Sequence, residues 1–152
     1  MSSTPPLRND EIRGMTLRQP FAACVLAGKD IENRPRRWRP GWFLLHAGQS
    51  LDRSALRDPL VARAIRGREL VTGAVLGLVR VTGCHQDPEG AKPCTPWAFP
   101  GRLWHLELAD VHELALPVPA AGRLGPWRPA ADLVERVLDQ LPHLRTTERS
   151  LT

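Results

Sequence analysis

Five short apolar runs with strand character, none joined to the next by a long helical segment, constrain this fold most tightly. They are Met15-Thr16-Leu17, Trp42 to His46, Ala74 to Val81, Leu103 to Leu108 and Val111 to Val118. Apolar and polar side chains alternate through Leu103–Leu108, the period of a half-buried strand. Val75, Val79 and Val81 share one face of their run, and Gly77 inside it predicts a bulge or a close backbone approach. Only short helices fit between the runs. Pro20 suits the first turn of one that carries Phe21 and Val25 and stops at Gly28. Ser50 to Arg66 is helical in character, with Pro59 breaking it into two pieces. Pro129 to Leu141 reads as an amphipathic helix with Leu133, Val137 and Leu141 on one stripe. Long alternating β-α units are missing, which excludes the parallel α/β architectures. The reading is α+β: a small β-barrel of five or six strands with flanking short helices.

At 152 residues the chain has room for one domain with a real core and not for two. That domain spans 15–141, between a flexible polar lead-in at 1–14 and a flexible tail at 142–152. Residues 83–100, rich in Gly, Pro and polar types, form a long loop, and loops of that length are often functional. No secretory signal or apolar run of membrane-spanning length is visible, so the expectation is a cytoplasmic protein without membrane association. Three cysteines make an odd, sparse set rather than a disulfide scaffold, and Cys24 in Phe21–Leu26 reads as a buried small hydrophobe.

Charge is concentrated in Lys29-Asp30-Ile31-Glu32-Asn33-Arg34-Pro35-Arg36-Arg37-Trp38-Arg39. With five basic and two acidic side chains, it holds +3 of the chain's net +5. The sequence pI of about 10.0 favours an anionic partner, with nucleic acid the first candidate. In a strand starting near Asp30, side chains 30, 32 and 34 share a face, and Pro35 holds Arg34 extended. Glu32 is then placed to orient Lys29 or Arg34 toward a ligand. Arg36, Arg37 and Arg39 are candidates to grip phosphates as bidentate forks. Trp38 is the candidate for stacking on a base, whereas Trp42, inside a strand, reads as core. His46 ends its strand before the small pair Ala47-Gly48, where a ligand could approach the backbone, and joins the candidate binding residues.

Other chemistries find less support. Cys84, His85, Cys94 and His105 lack a Cys-x-x-Cys pair, so neither a metal site nor a cofactor is expected. Neither a Gly-x-Ser-x-Gly nucleophile turn nor a Gly-rich phosphate loop occurs.

Three segments carry a family resemblance: Leu17-Arg18-Gln19-Pro20-Phe21-Ala22, Gly28-Lys29-Asp30-Ile31-Glu32-Asn33-Arg34 and Leu44-Leu45-His46-Ala47-Gly48. In order and spacing they resemble the ASCH domain, a family of the PUA-like superfamily named for homology to activating signal cointegrator. Later pieces that look similar include Ala74-Val75-Leu76-Gly77, Pro117-Val118-Pro119 and Gly122-Arg123-Leu124-Gly125-Pro126-Trp127, so the likeness runs from about Met15 to Leu141. It implies a PUA-like barrel of five or six strands with a polar cleft that binds RNA, DNA or a modified nucleoside. Some small bacterial members remove acyl groups from N4-acylated cytidine with a threonine nucleophile, a lysine and a glutamate. Lys29 matches that lysine, but Glu32 occupies the threonine's position, and a carboxylate does not replace a hydroxyl nucleophile. The expectation is therefore a nucleic-acid-binding or modified-nucleotide-binding domain using Lys29, Arg34, Arg36, Arg37, Trp38, Arg39 and His46. The alternative is a small hydrolase of RNA phosphodiesters or of an acylated nucleoside, with Lys29 and Glu32 as its catalytic pair.

Overall fold

A computed structural model describes residues 7–145. Its elements are β1 (Arg13–Gln19), α1 (Phe21–Leu26), β2 (Ile31–Arg34), β3 (Gly41–Leu51), α2 (Pro59–Ala64), β4 (Ala74–His85), β5 (Trp104–Pro119) and α3 (Ala131–Asp139), with short 3-10 turns at 9–11, 54–57 and 142–144. The five strands form one mixed sheet in the order β1-β3-β4-β5-β2. β1 runs parallel to β3 and every other neighbouring pair is antiparallel. The sheet curls into a half-barrel, so the α+β, barrel-like expectation holds. Its two edges are β1 and β2, and the candidate site lies at the seam between them.

The sheet is covered on both faces. On one, Trp42, Leu44, Val75, Leu78, Leu114 and Val118 pack beneath Leu133, Val134, Val137 and Leu138 of α3. On the other, Phe43, Leu45, Val79, Val81 and Leu106 pack with Ala22 and Val25 of α1. This explains why residues 42–47 and 74–79 are buried without interruption: a strand sandwiched on both faces reads as a continuous apolar run. Gly77 meets its predicted close approach, since a Cβ there would lie 2.7 Å from the His112 carbonyl oxygen. The pairing of β4 with β5 slips in register at the same place, so Val75 packs under α3 while Val79 and Val81 pack on the other face, rather than all three sharing one.

Several boundaries differ from the sequence reading. The two strands expected at 103–108 and 111–118 are one 16-residue strand, bent at Asp110, whose φ of 51° is the left-handed value an aspartate tolerates. The helical stretch expected from Ser50 begins later, because β3 continues to Leu51. Pro59 does divide it, opening α2 at its first turn while the Asp58 carboxylate accepts the Leu60 N–H. The lead-in is structured from residue 7: Leu7 and Ile12 are buried, and Gly14 pairs with Trp127. Pro142–Leu144 makes a 3-10 turn, while the remaining parts of the expected lead-in and tail, 1–6 and 146–152, lie outside the described residues. Among the described residues no helix is long and apolar enough to cross a membrane.

Candidate nucleotide-binding cleft

Edge strands leave backbone groups unpaired, and here a side chain spans the gap. Arg34, the last residue of β2, donates from one guanidinium nitrogen to the Thr16 carbonyl oxygen of β1 at 2.9 Å. Around this clamp opens a cleft of about 820 Å³. Lys29, Glu32 and Arg34 form its floor, Phe21 and Phe99 contribute aromatic surface, and Arg18 and Arg123 supply further charge.

The floor is an organised charge cluster. Lys29 follows Gly28, whose φ of 116° turns the chain out of α1, and the Lys29 N–H is held by the Cys24 carbonyl. Its side chain is 1% exposed, so the ammonium must be partnered within the protein. Nζ donates to the Ile31 carbonyl oxygen and lies 2.9 Å from Glu32 Oε1, over the Phe21 ring. The other carboxylate oxygen, Oε2, is 3.0 Å from Arg34 Nε. That contact is an ion pair without an aligned hydrogen bond, for the buried Nε has no hydrogen-bond acceptor in the protein. Glu32 thus bridges two cations, as its face in the strand predicted. Two of the three Lys29 N–H groups are committed within the protein, one of them to Glu32, so one donor remains for a ligand.

His46 sits at the other wall, and its tautomer follows from its partners. Trp127 Nε1 can only donate, and it donates to Thr16 Oγ1 at 3.1 Å. The Thr16 hydroxyl proton is thereby directed to His46 Nδ1, 3.1 Å away, while Nε2–H donates to the Ala120 carbonyl at 2.6 Å. Burial disfavours the imidazolium and lowers the His46 pKa, although the Ala120 carbonyl opposes this. Gly122 lies against the pair, where any Cβ would come within 2.3 Å of Thr16 Oγ1.

The remaining candidates go elsewhere. Arg37, Trp38 and Arg39 line a second groove of about 870 Å³ with Arg8, Arg13, Arg80 and Trp42. Arg36 is exposed and lines neither depression. Trp38 corrects the sequence reading, because it is buried rather than free to stack: its ring packs 5.5 Å from Phe43 and lies beneath the Arg34 guanidinium at 4.9 Å. An indole removes more apolar surface from water than the flanking arginines can hold in solvent. Trp42 is buried as expected. Sequence reasoning missed Phe99, which is 45% exposed at the cleft and meets Phe21 edge-to-face at 6.4 Å. Its only signal was an aromatic ring inside a long polar loop.

That loop also brings Asp87 and Cys94 to His85 of β4 and His105 of β5, and the candidate ligand atoms of the four all lie within 4.8 Å of one another. A reading that depends on cysteine pairs passes over this cluster, because it does not count Asp87. Antiparallel pairing of β4 with β5 sets His85 directly opposite His105. Burial, then the hydrogen bond and charge of Asp87, push the Cys94 thiol pKa up.

Comparison with known proteins adds no assignment: neither a family model nor a curated protein matches the chain.

Proposed function

We propose that the seam between β1 and β2 binds a nucleotide or a short nucleic-acid segment, in the manner the ASCH resemblance implies. The observation that carries this reading is the cluster Lys29–Glu32–Arg34, with a buried Arg34 Nε that finds no hydrogen-bond acceptor in the protein. A guanidinium held by a carbonyl and a carboxylate presents its remaining N–H groups in a fixed direction, which suits a phosphate or the acceptor edge of a base. Phe99 offers an exposed face for stacking, an interaction worth about 1–3 kcal/mol per base. A volume of about 820 Å³ falls in the range of small-ligand pockets, about 300–1,000 Å³.

Hydrolysis is the second reading, favoured by one observation. The Thr16 hydroxyl in the cleft donates to a neutral imidazole, a nucleophile–base arrangement. Against turnover, both hydrogen-bonding functions of that hydroxyl are engaged and Gly122 covers it. Incubating the protein with N4-acetylcytidine and with short single-stranded RNA, followed by chromatography, separates the readings. The expected result is binding without release of cytidine or RNA fragments. Product formation abolished by Thr16→Ala would establish a hydrolase instead.

A further inference from the structure

We propose that His85, Asp87, Cys94 and His105 form a zinc site that fastens the long loop between β4 and β5 to the sheet. Three features of the geometry support it.

The first is spacing. With Zn–S near 2.3 Å and Zn–N and Zn–O near 2.0–2.1 Å, ligand atoms at tetrahedral corners stand about 3.3–3.6 Å apart. Cys94 Sγ is 3.7 Å from His105 Nδ1, His105 Nδ1 is 3.5 Å from Asp87 Oδ2, and His85 Nε2 is 3.0 Å from Asp87 Oδ1. The four ligand atoms, one from each residue, all lie within 4.8 Å of one another, so the widest pair closes by about an ångström to complete the polyhedron.

The second is the outer partners. His105 is 1% exposed, and its Nε2–H donates to the Phe99 carbonyl oxygen at 3.0 Å. In the neutral ring this leaves the Nδ1 lone pair facing a thiol and a carboxylate oxygen. His85 Nε2 points into the cluster, where it donates to Asp87 Oδ1 at 3.0 Å, a proton that zinc would displace, and Glu107 Oε2 lies 3.8 Å from Nδ1. The acceptor behind the His105 imidazole is the arrangement that fixes metal-ligating histidines.

The third is ligand chemistry. Two imidazoles, one thiolate and one carboxylate select a borderline-soft divalent ion over magnesium or calcium. On binding, the Cys94 S–H bond breaks, the proton passes to solvent and the sulfur lone pair forms the Zn–S bond, with no change of oxidation state. Residues 86–103 contain no helix or strand, yet Phe99 and Leu103 in this stretch line the cleft. Asn33 of β2 accepts the Phe99 N–H and donates to the Trp97 carbonyl, so the metal and β2 would hold the same loop.

The test uses zinc and cobalt on the full chain and is independent of what the cleft binds. After removal of loosely held metal, elemental analysis should find one zinc per chain. Cobalt reconstitution should give thiolate charge-transfer and four-coordinate visible bands. Cys94→Ser, at an exposed position, should fold, lose stoichiometric zinc under chelator competition and lose the thiolate band. Cys84→Ser, outside the cluster, should keep both. A chelator should lower the thermal midpoint of the wild type but not of Cys94→Ser. Zinc well below one per chain with no thiolate–cobalt band, or zinc retained equally by Cys94→Ser, would overturn the proposal. His105→Asn is a second variant, and wild-type metal content alone decides the matter if that variant fails to fold.

Discussion

The cleft at the β1–β2 seam and the groove beside Trp38 are both arginine-rich, and they use the same stretch of chain in opposite ways. In the cleft, Lys29, Glu32 and Arg34 are largely withdrawn from water, so each charge has an internal partner and a defined position. In the groove, Arg37 and Arg39 are exposed, Arg37 resting against the Trp104 ring at 5.9 Å, and salt screens them while side-chain entropy works against a fixed geometry. A count of positive residues merges the two. The difference teaches that burial turns charge into recognition of shape, whereas exposure leaves it as general attraction for polyanions.

Stability should separate the regions most widely. Lys29→Ala leaves Glu32 with Arg34 as its one remaining cationic partner and should destabilise the fold by about 1.5–3 kcal/mol. Arg39→Ala, exposed, should change it by no more than about 0.5 kcal/mol. Urea denaturation of both variants measures the gap, and equal small losses would dissolve the distinction. Next in size is salt dependence. Reversing Arg36, Arg37 and Arg39 together should flatten the log–log salt dependence of oligonucleotide binding by about 0.7–0.9 for each phosphate that the variant no longer neutralises. Affinity for a single nucleotide should stay the same. If the single nucleotide weakened equally, groove and cleft would act as one surface.

The smallest effect concerns His46. Burial lowers its folded pKa below the ordinary histidine value, so the unfolded chain takes up the proton first as pH falls. Its contribution is therefore complete above the ordinary histidine range and drains away as pH drops through that range toward the lower folded value. His112 has the same sign, from burial and then from the charge of His143. His46→Gln should flatten the decline in stability between about pH 7 and about pH 5, leaving the His112 share. An unchanged slope would mean that His46 is not held neutral.

Much of this was legible in sequence. Apolar runs located β3, β4 and most of β5, and the Gly28 stop with Pro35 placed Glu32 and Arg34 on a common strand face. Tertiary pairing hid the rest. Trp38 seemed available because its sequence neighbours are charged, but the turn between β2 and β3 folds its ring onto Phe43 of β3, beneath the Arg34 guanidinium. His105 joins His85 only because β5 returns antiparallel to β4, a relation that ligand-spacing rules do not capture. Phe99 becomes a cleft wall through Asn33, which fastens a loop residue to a strand 66 positions earlier in sequence.

Calorimetric titration of cytidine monophosphate tests the central claim most directly, using wild type, Arg34→Lys and the double variant Arg37→Ala/Arg39→Ala. Lysine keeps the charge but loses the planar fork that ties β2 to Thr16 and faces the cleft. Affinity should be about 10-fold or more weaker for Arg34→Lys, from the loss of at least one charge-assisted hydrogen bond, and should keep the wild-type value in the double variant. Binding undiminished in Arg34→Lys but lost in the double variant would place the ligand in the groove and contradict the account.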